Sequence, residues 1–373
     1  MKKIVIAPDS FKGTLSAGEV CRAIAAAAGR VFPAAEILCL PLADGGEGTT
    51  DCFAALPGSR RAAVTVTGPL GDPVKASYVL TADGTAVVET AGAAGLGLVR
   101  GREDPLGAST YGVGEMIRHG IKSGARKVLI GLGGSCTTDG GAGAASALGV
   151  RFYDESERAF LPTGGTLDQI AGIDPNGIEP AVKETEFVLL CDVKAPLYGK
   201  DGAAYVFAPQ KGASPAQVAL LDRGLRHLGA IYDGICPGVS FLPGAGAAGG
   251  LGAGMTALFG GKIVPGIEAV LDAIGADAAF AGADLIVTGE GKLDEQTFTG
   301  KAVSGVVRRA KSVPVIAAAG VVDCPDTVWR QAGLRAVFGV HPAPVSPEEA
   351  EKNAFEDLEK TAERAFQSCK EMA

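Results

Sequence analysis

An α/β protein with a doubly wound, mostly parallel sheet is what this sequence predicts, and three observations carry the prediction. Both ends of the 373-residue chain alternate short apolar runs with amphipathic stretches, the pattern of parallel strands joined by crossover helices. Between them the texture changes to short β-rich segments divided by turn sequences. Finally, the run Phe187-Val-Leu-Leu-Cys191 reads as a buried strand ending on a carboxylate, Asp192. Aspartate is rarely taken inside without a partner. Asp192 therefore reads either as a general base or metal ligand at the rim of a sheet, or as a cap on the turn before Pro196.

The elements follow in order. Lys3–Ala7 is a strand that ends at Pro8-Asp-Ser-Phe-Lys-Gly13. Ser16-Ala-Gly-Glu19 is a capping box opening a helix to about Gly29. Glu36–Leu42 is a second strand, ending at Asp44-Gly-Gly-Glu47 before another helix. Ala63–Thr67, Val74–Leu80 and Thr85–Glu89 are strands of a meander, separated by Gly-Asp-Pro and Ala-Asp-Gly turns. A helix from Ser109 to Lys122 precedes a strand at Lys127–Leu132. From Asp284 the alternation resumes, with strands at Leu285–Gly289, Val313–Ala319 and Arg335–Val340. Ser346-Pro-Glu-Glu349 is a second capping box, and Ala350, Ala354, Phe355, Leu358, Ala362, Ala365 and Phe366 share one face of a final helix. The simplest account is a Rossmann-like α/β domain made of residues 1–60 and 281–373, with 61–280 as an inserted α/β domain; the length suits two domains.

Composition narrows the function. With 47% hydrophobic and 20% charged residues, the chain has ample core. A net charge of −8, without basic blocks interleaved with aromatics, argues against nucleic acid as the partner. The eight cysteines and three histidines are scattered with no CxxC pair, so a structural zinc site is not expected. The cysteines suit a reducing compartment, and the opening apolar run is too short for a signal peptide, which points to the cytoplasm. Residues 235–261 carry no charge, but their glycines together with Pro237 and Pro243 predict a glycine loop rather than a membrane span. His119, His227 and His341 read as structural.

Ligands of open parallel sheets bind beyond the carboxyl ends of the strands, and polar residues gather there. Asp9, Ser10 and Lys12 follow the first strand, and Asp44 and Glu47 the second. The middle adds Ser135, Thr137, Thr138 and Asp139, then Asp192. Thr288, Glu290, Lys292, Asp294 and Lys301 close the set, which predicts one shared cleft. The turn Gly131-Leu-Gly133-Gly134 and the run Gly244–Gly254 could aim backbone N–H groups at an anion, or could simply permit tight packing. Lys12, Lys211, Lys292 and Lys301, in or beside glycine loops, suit phosphate or carboxylate neutralisation. Carboxylates beside such loops suggest Mg-nucleotide chemistry, because Mg2+ takes one or two carboxylates plus phosphate oxygens. There is no GxxxxGK[ST] P-loop. Gly244-Ala-Gly-Ala-Ala-Gly249 matches GxGxxG, but what precedes it makes a poor strand.

Seven blocks together resemble the bacterial two-domain glycerate kinases, of the kind that form 2-phosphoglycerate. They are Ala7-Pro-Asp-Ser-Phe-Lys-Gly13, Pro41-Leu-Ala-Asp-Gly-Gly-Glu-Gly48, Gly131–Gly134 with Asp139-Gly-Gly141, Cys191-Asp-Val193, Pro209-Gln-Lys-Gly212, Gly244–Gly254 and Thr288-Gly-Glu-Gly291. Ala195, Thr138 and Lys292 stand where that family often has Asn, Asn and Arg; lysine cannot form arginine's bidentate fork. The resemblance implies ATP-dependent phosphorylation of D-glycerate with Mg2+, at the 2-hydroxyl or alternatively the 3-hydroxyl. Asp192 is then expected to deprotonate the acceptor hydroxyl, and Lys12 and Lys211 to neutralise charge. Asp9, Ser10, Gly133, Gly134, Ser135 and Lys292 are expected to bind substrate or phosphate, and Asp44, Glu290 and Asp294 the metal. A nicotinamide-dependent oxidoreductase using the Gly244 loop, and a binding protein that closes on a small acid, remain the alternatives. Oligomeric state is not legible.

Overall fold

The computed structural model describes residues 1–341 and 352–371. The chain forms two compact units, Met1–Asp44 with Ile267–Ala373, and Gly45–Gly266. The first unit opens with β1 (Lys3–Ile6), a helix over Ala17–Val31 and β2 (Glu36–Cys39). The helix begins where the sequence places it: the Ser16 hydroxyl accepts the Glu19 N–H while the Glu19 carboxylate accepts the Ser16 N–H, a complete capping box.

The second unit follows with β3 (Arg60–Thr67), β4 (Pro73–Leu80), β5 (Thr85–Glu89) and β6 (Lys127–Gly131). A small antiparallel sheet holds β7 (Arg151–Tyr153), β8 (Ala159–Phe160) and β9 (Gly172–Asp174), and β10 (Glu186–Leu190) and β11 (Lys262–Val264) complete the unit. The main sheet has the order β11-β10-β6-β5-β4-β3. Its first four strands are parallel, and the β5-β4-β3 edge is the antiparallel meander expected from the turns.

The chain then returns to the first unit with β12 (Leu285–Leu293), β13 (Val315–Val322), β14 (Ala336–His341) and a helix over Ala354–Glu371. All five strands of this unit pair in parallel in the order β14-β13-β12-β1-β2. The Ala17–Val31 and Ala354–Glu371 helices share a core with Ile4, Ile6, Leu285, Val287 and Ile316. Phe32 and Phe366 meet edge to face there at 6.0 Å. The Ser346–Glu349 capping box and Ala350 lie outside the described residues.

The units divide at 44/45 and 266/267, whereas the sequence reading puts the changes near 60 and 281. Side-chain bonding explains both displacements. Thr50, at the start of the helix Thr49–Ala54, donates from its backbone and hydroxyl to Glu89 of β5 at 2.7 and 2.9 Å. Arg309 pairs with Glu268 and Asp272 at 2.6 Å each, which ties the helix Gly266–Ala273 to the helix Ala302–Ala310 of the first unit. Periodicity does not report such bonds.

Residues 235–261 are not all loop. Ala247–Phe259 is helical, with a kink where Ala248, Gly249 and Gly250 take left-handed φ of 50, 66 and 97°. At Gly249 a Cβ would lie 2.0 Å from the Thr137 carbonyl oxygen, so only glycine admits that approach. A short 3-10 turn, Val239–Phe241, precedes the GxGxxG match instead of a strand, and the dinucleotide fingerprint has no structural context. Among the described residues, no helix is long and apolar enough to cross a membrane.

Candidate functional site

In a five-stranded parallel sheet of this order the strand order reverses between β1 and β12. Written by position within the unit the order is 2-1-3-4-5, and the crevice at the 1/3 switch point is where such sheets bind ligands. A cleft of about 410 Å3 opens at the carboxyl ends of these strands. Asp9, Ser10, Phe11, Lys12 and Thr14 line it from β1, and Asp44 from β2. Glu290, Lys292, Asp294 and Lys301 come from β12 and beyond, Val321 from β13, and Val340 and His341 from β14. Eight residues singled out from the sequence (Asp9, Ser10, Lys12, Asp44, Glu290, Lys292, Asp294 and Lys301) thus share one cavity of the first unit.

Local geometry presents them. Beyond β1, Asp9 N–H still donates to the Gly289 carbonyl at 2.8 Å, which keeps Asp9 against β12. Phe11 and Leu15 exchange backbone hydrogen bonds at 2.8 and 3.0 Å, closing a tight turn. That turn, with Gly13 at φ 82°, carries Lys12 outward. A Cβ at Gly291 would stand 3.3 Å from Phe11 Cα and Lys12 N, so glycine there lets the turn lie on β12.

The electrostatics of this cleft are unusual for a surface. Asp9 is 4% exposed and accepts a 2.6 Å bond from Ser10 N–H. Burial, then the charge of Asp44, push its carboxyl up to about 7 against that bond and Lys12. Glu290 is also raised, first by burial, despite the bond from the Thr297 hydroxyl. Burial works against the Lys12 ammonium, yet the charges of Asp44, Asp9 and Glu290 outweigh it and hold its pKa above the ordinary value. Lys12 Nζ stands 3.5 Å from Asp44 Oδ2. Lys292 is less available than the sequence suggests, because Asp323 takes it at 2.7 Å.

Glu290 Oε1 is buried with no hydrogen-bond partner among the described residues. An orphaned carboxylate oxygen of this kind calls for a cation or a donor. Among the described residues no three His, Cys, Asp or Glu side chains form a ready metal cage. Oxygen ligands that fall short of a cage suit Mg2+, which is completed by phosphate oxygens and water.

In the second unit the expected residues divide. Asp192 does not lie inside a strand: β10 ends at Leu190, and Asp192 is exposed beyond it. Its Oδ1 accepts the Gly266 N–H at 3.0 Å. The glycines of the Gly131–Gly134 turn have a packing cause. A Cβ at Gly131 would come 2.6 Å from the Gly45 carbonyl oxygen, and one at Gly133 2.9 Å from Gly46 Cα.

Behind that turn the charges are consumed internally. Asp139 is fully buried and accepts from Thr110 N–H and hydroxyl, Gly141 N–H and Gly143 N–H at 2.7 to 3.2 Å. It holds the starts of the helices Tyr111–Lys122 and Ala142–Ala147 together. Lys211 is 3% exposed and donates to the Thr137 carbonyl at 2.6 Å and the Ser135 hydroxyl at 3.2 Å. Burial pushes its pKa down to about 8, against the charges of Cys136 and Asp139. The Thr137 and Thr138 hydroxyls are buried without partners among the described residues.

Sequence reasoning missed two features. His341 lines the cleft, whereas His119 bonds Tyr78 and His227 faces the Ile170 carbonyl, as structural histidines do. The signal for His341 was available, since it ends the last strand of the sheet. Glu89 was also passed over, although it ends β5 and its carboxyl is raised by burial.

The fold and cleft define an α/β enzyme that handles a small ligand at a sheet switch point. The chain belongs to the glycerate kinase family: residues 4–370 match the model of the glycerate kinase family. It is 45% identical to a glycerate kinase of Bacillus cereus, with 96% of each chain covered. It is 42% identical to the glycerate 2-kinase of Escherichia coli K12, with 95% of each covered. A crystal structure of a Salmonella typhimurium LT2 protein assigned to glycerate kinase 2 superposes with TM-score 0.89 at 42% identity, covering 99% of this chain and 98% of that one. This family consists of kinases, enzymes that take ATP as substrate.

Proposed function

We propose that the protein transfers the γ-phosphoryl group of ATP to the 2-hydroxyl of D-glycerate in the cytoplasm, giving 2-phospho-D-glycerate. The observation that carries this reading is the match to glycerate kinases over nearly the whole chain, a glycerate 2-kinase among them. The carboxylate- and lysine-lined cleft at the β1/β12 switch point supports it. No observation favours the oxidoreductase, whose fingerprint lacks its strand.

Phosphoryl transfer asks a protein for positioning and charge compensation more than for covalent chemistry. Asp192, exposed at a strand end, takes the proton of the acceptor hydroxyl. The resulting alkoxide attacks the γ-phosphorus in line, and the bridging oxygen leaves with ADP. Lys12, held on its turn, offsets phosphoryl charge. Ser10 and the backbone around it bind anionic oxygens. Asp9, with its raised pKa, holds a proton near neutral pH and can donate to such an oxygen rather than repel it. Asp44, Glu290 and Asp294 are the residues that would hold Mg2+, and the ion would supply positive charge to offset that of the phosphates. The glycine turn at Gly133 and Gly134, with Ser135, is proposed to contact the substrate.

The test is incubation with Mg-ATP and D-glycerate, read by phosphorus NMR. The expected product is 2-phosphoglycerate. A 3-phosphoglycerate signal would move the acceptor hydroxyl, and no ADP formation would remove the reading altogether.

A further inference from the structure

The cleft of the first unit is uneven across the sheet. Its charged side chains (Asp9, Lys12, Asp44, Glu290 and Asp294) come from the β2, β1 and β12 side. Across β13 and β14 the lining changes to Val321, Val340 and His341, all half-buried. Val321 and His341 are register partners on adjacent strands, so together they form one continuous patch. Val340 packs against the edge of this unit's core, yet it stays half-buried, as Val321 and His341 do, and all three face the cleft.

Strand order gives the patch a scale. Neighbouring strands stand about 4.8 Å apart, so β14 lies roughly 10 Å from β12 along the sheet edge. A cleft of about 410 Å3 is of the size that takes a whole cofactor-like molecule, and a three-carbon acid would leave most of it empty. The ligand that matches is elongated, anionic at one end and flat and apolar at the other.

We infer that the Val321–Val340–His341 patch is the shelf for the heterocyclic base of a nucleoside phosphate whose phosphates lie at the β1/β12 end. This rests on the ATP-dependent reading above and extends it to where the nucleotide binds. Nothing covalent is involved. The shelf supplies apolar burial and, through His341, a flat ring on which a base can stack.

The experiment compares ADP with inorganic pyrophosphate by calorimetric titration, alongside the KM for D-glycerate. In the wild type ADP should bind about tenfold or more tighter than pyrophosphate. Val321→Asn and Val340→Asn should each remove most of that margin, leaving pyrophosphate affinity within about twofold and the glycerate KM unchanged. Val321→Ala with Val340→Ala is the second variant, read in the same way if the polar substitutions do not fold. Equal weakening of ADP and pyrophosphate, or no change in either, overturns the shelf. A raised glycerate KM with ADP binding intact also overturns it, because the patch would then serve the acid. If wild-type protein binds ADP in this base-dependent way but phosphorylates no glycerate, the shelf stands and the proposed reaction falls.

Discussion

Two groups of polar residues at strand ends have opposite fates in this molecule. In the first unit Asp9, Asp44 and Glu290 crowd carboxylates around Lys12 in an open cleft, and a Glu290 oxygen has no hydrogen-bond partner among the described residues. In the second unit Asp139 and Lys211 are buried, but their charged atoms are taken up by backbone and hydroxyl groups around them. Unsatisfied and like-charged groups cost stability and are kept for a ligand. Satisfied ones contribute stability and fix a backbone. The difference teaches which substitutions should cost activity and which should cost folding.

Asp192 differs from both groups: it is exposed, and its Oδ1 accepts the Gly266 N–H. Asp192→Asn keeps the oxygen that receives the Gly266 N–H. It should lower kcat by roughly 10^2 to 10^4, the usual worth of a positioned general base. Melting temperature should barely move. Near-wild-type turnover in the ADP-release assay would remove Asp192 from the mechanism.

The comparison itself is broken or sharpened by a pair of carboxylate-to-amide changes. Asp139→Asn puts an amide NH2 among donors that need an acceptor and should cost about 2–4 kcal/mol, seen as a lowered urea midpoint. Glu290→Gln removes a poorly compensated charge. It should leave the midpoint unchanged or raised while lowering kcat/KM about tenfold or more. If Glu290→Gln unfolds the protein and Asp139→Asn leaves it stable but inactive, the roles of the two regions are reversed.

Much of this was legible in advance. The parallel sheet of the first unit follows from apolar runs, and the Ser16 capping box marked its helix to the residue. The cleft residues were found because strand ends are recognisable and ligand binding at a switch point is a property of the topology. What stayed hidden depends on tertiary approach. Gly131 and Gly133 look like an anion cradle, yet their nearest neighbours are Gly45 and Gly46, about 85 positions earlier. Lys211 reads as a surface lysine in a glycine loop, since no local pattern announces that its ammonium turns inward to Thr137. The apolar half of the cleft was invisible because valines at strand ends look like any core residue.

Titration offers the next contrast, because both buried charges are uncomfortable but with opposite signs. Asp9 titrates near 7 when folded against 3.8 as the free side chain, so the folded state holds the extra proton between those values. Its contribution is present below about pH 4 and is lost as pH rises through 7. Lys211 titrates near 8 against 10.5, so the unfolded state holds the extra proton and stability rises from pH 8 to 10.5. Each window is worth on the order of a few kcal/mol at most. Asp9→Asn should flatten the acid window of the denaturation-midpoint profile, and Lys211→Met the alkaline one. A profile unchanged by either substitution would mean that these charges are not buried as described.

The smallest effect on folding is expected at Lys12, and that is what makes it informative. Its side chain is 66% exposed and its ion pair with Asp44 spans 3.5 Å. An exposed pair of that length contributes under about 1 kcal/mol and is screened by salt. Lys12→Met should therefore leave the melting temperature within roughly two degrees of wild type at any ionic strength. Removing Lys12 also deprives Asp9 of a stabilising cation, so the carboxyl of Asp9 should titrate higher still. If Lys12 compensates phosphoryl charge, kcat/KM for ATP should fall about tenfold or more, and Lys12→Arg should recover part of the loss. Equal kcat/KM in wild type and Lys12→Met would show that the open cleft, for all its charge, does not meet the phosphates through this turn.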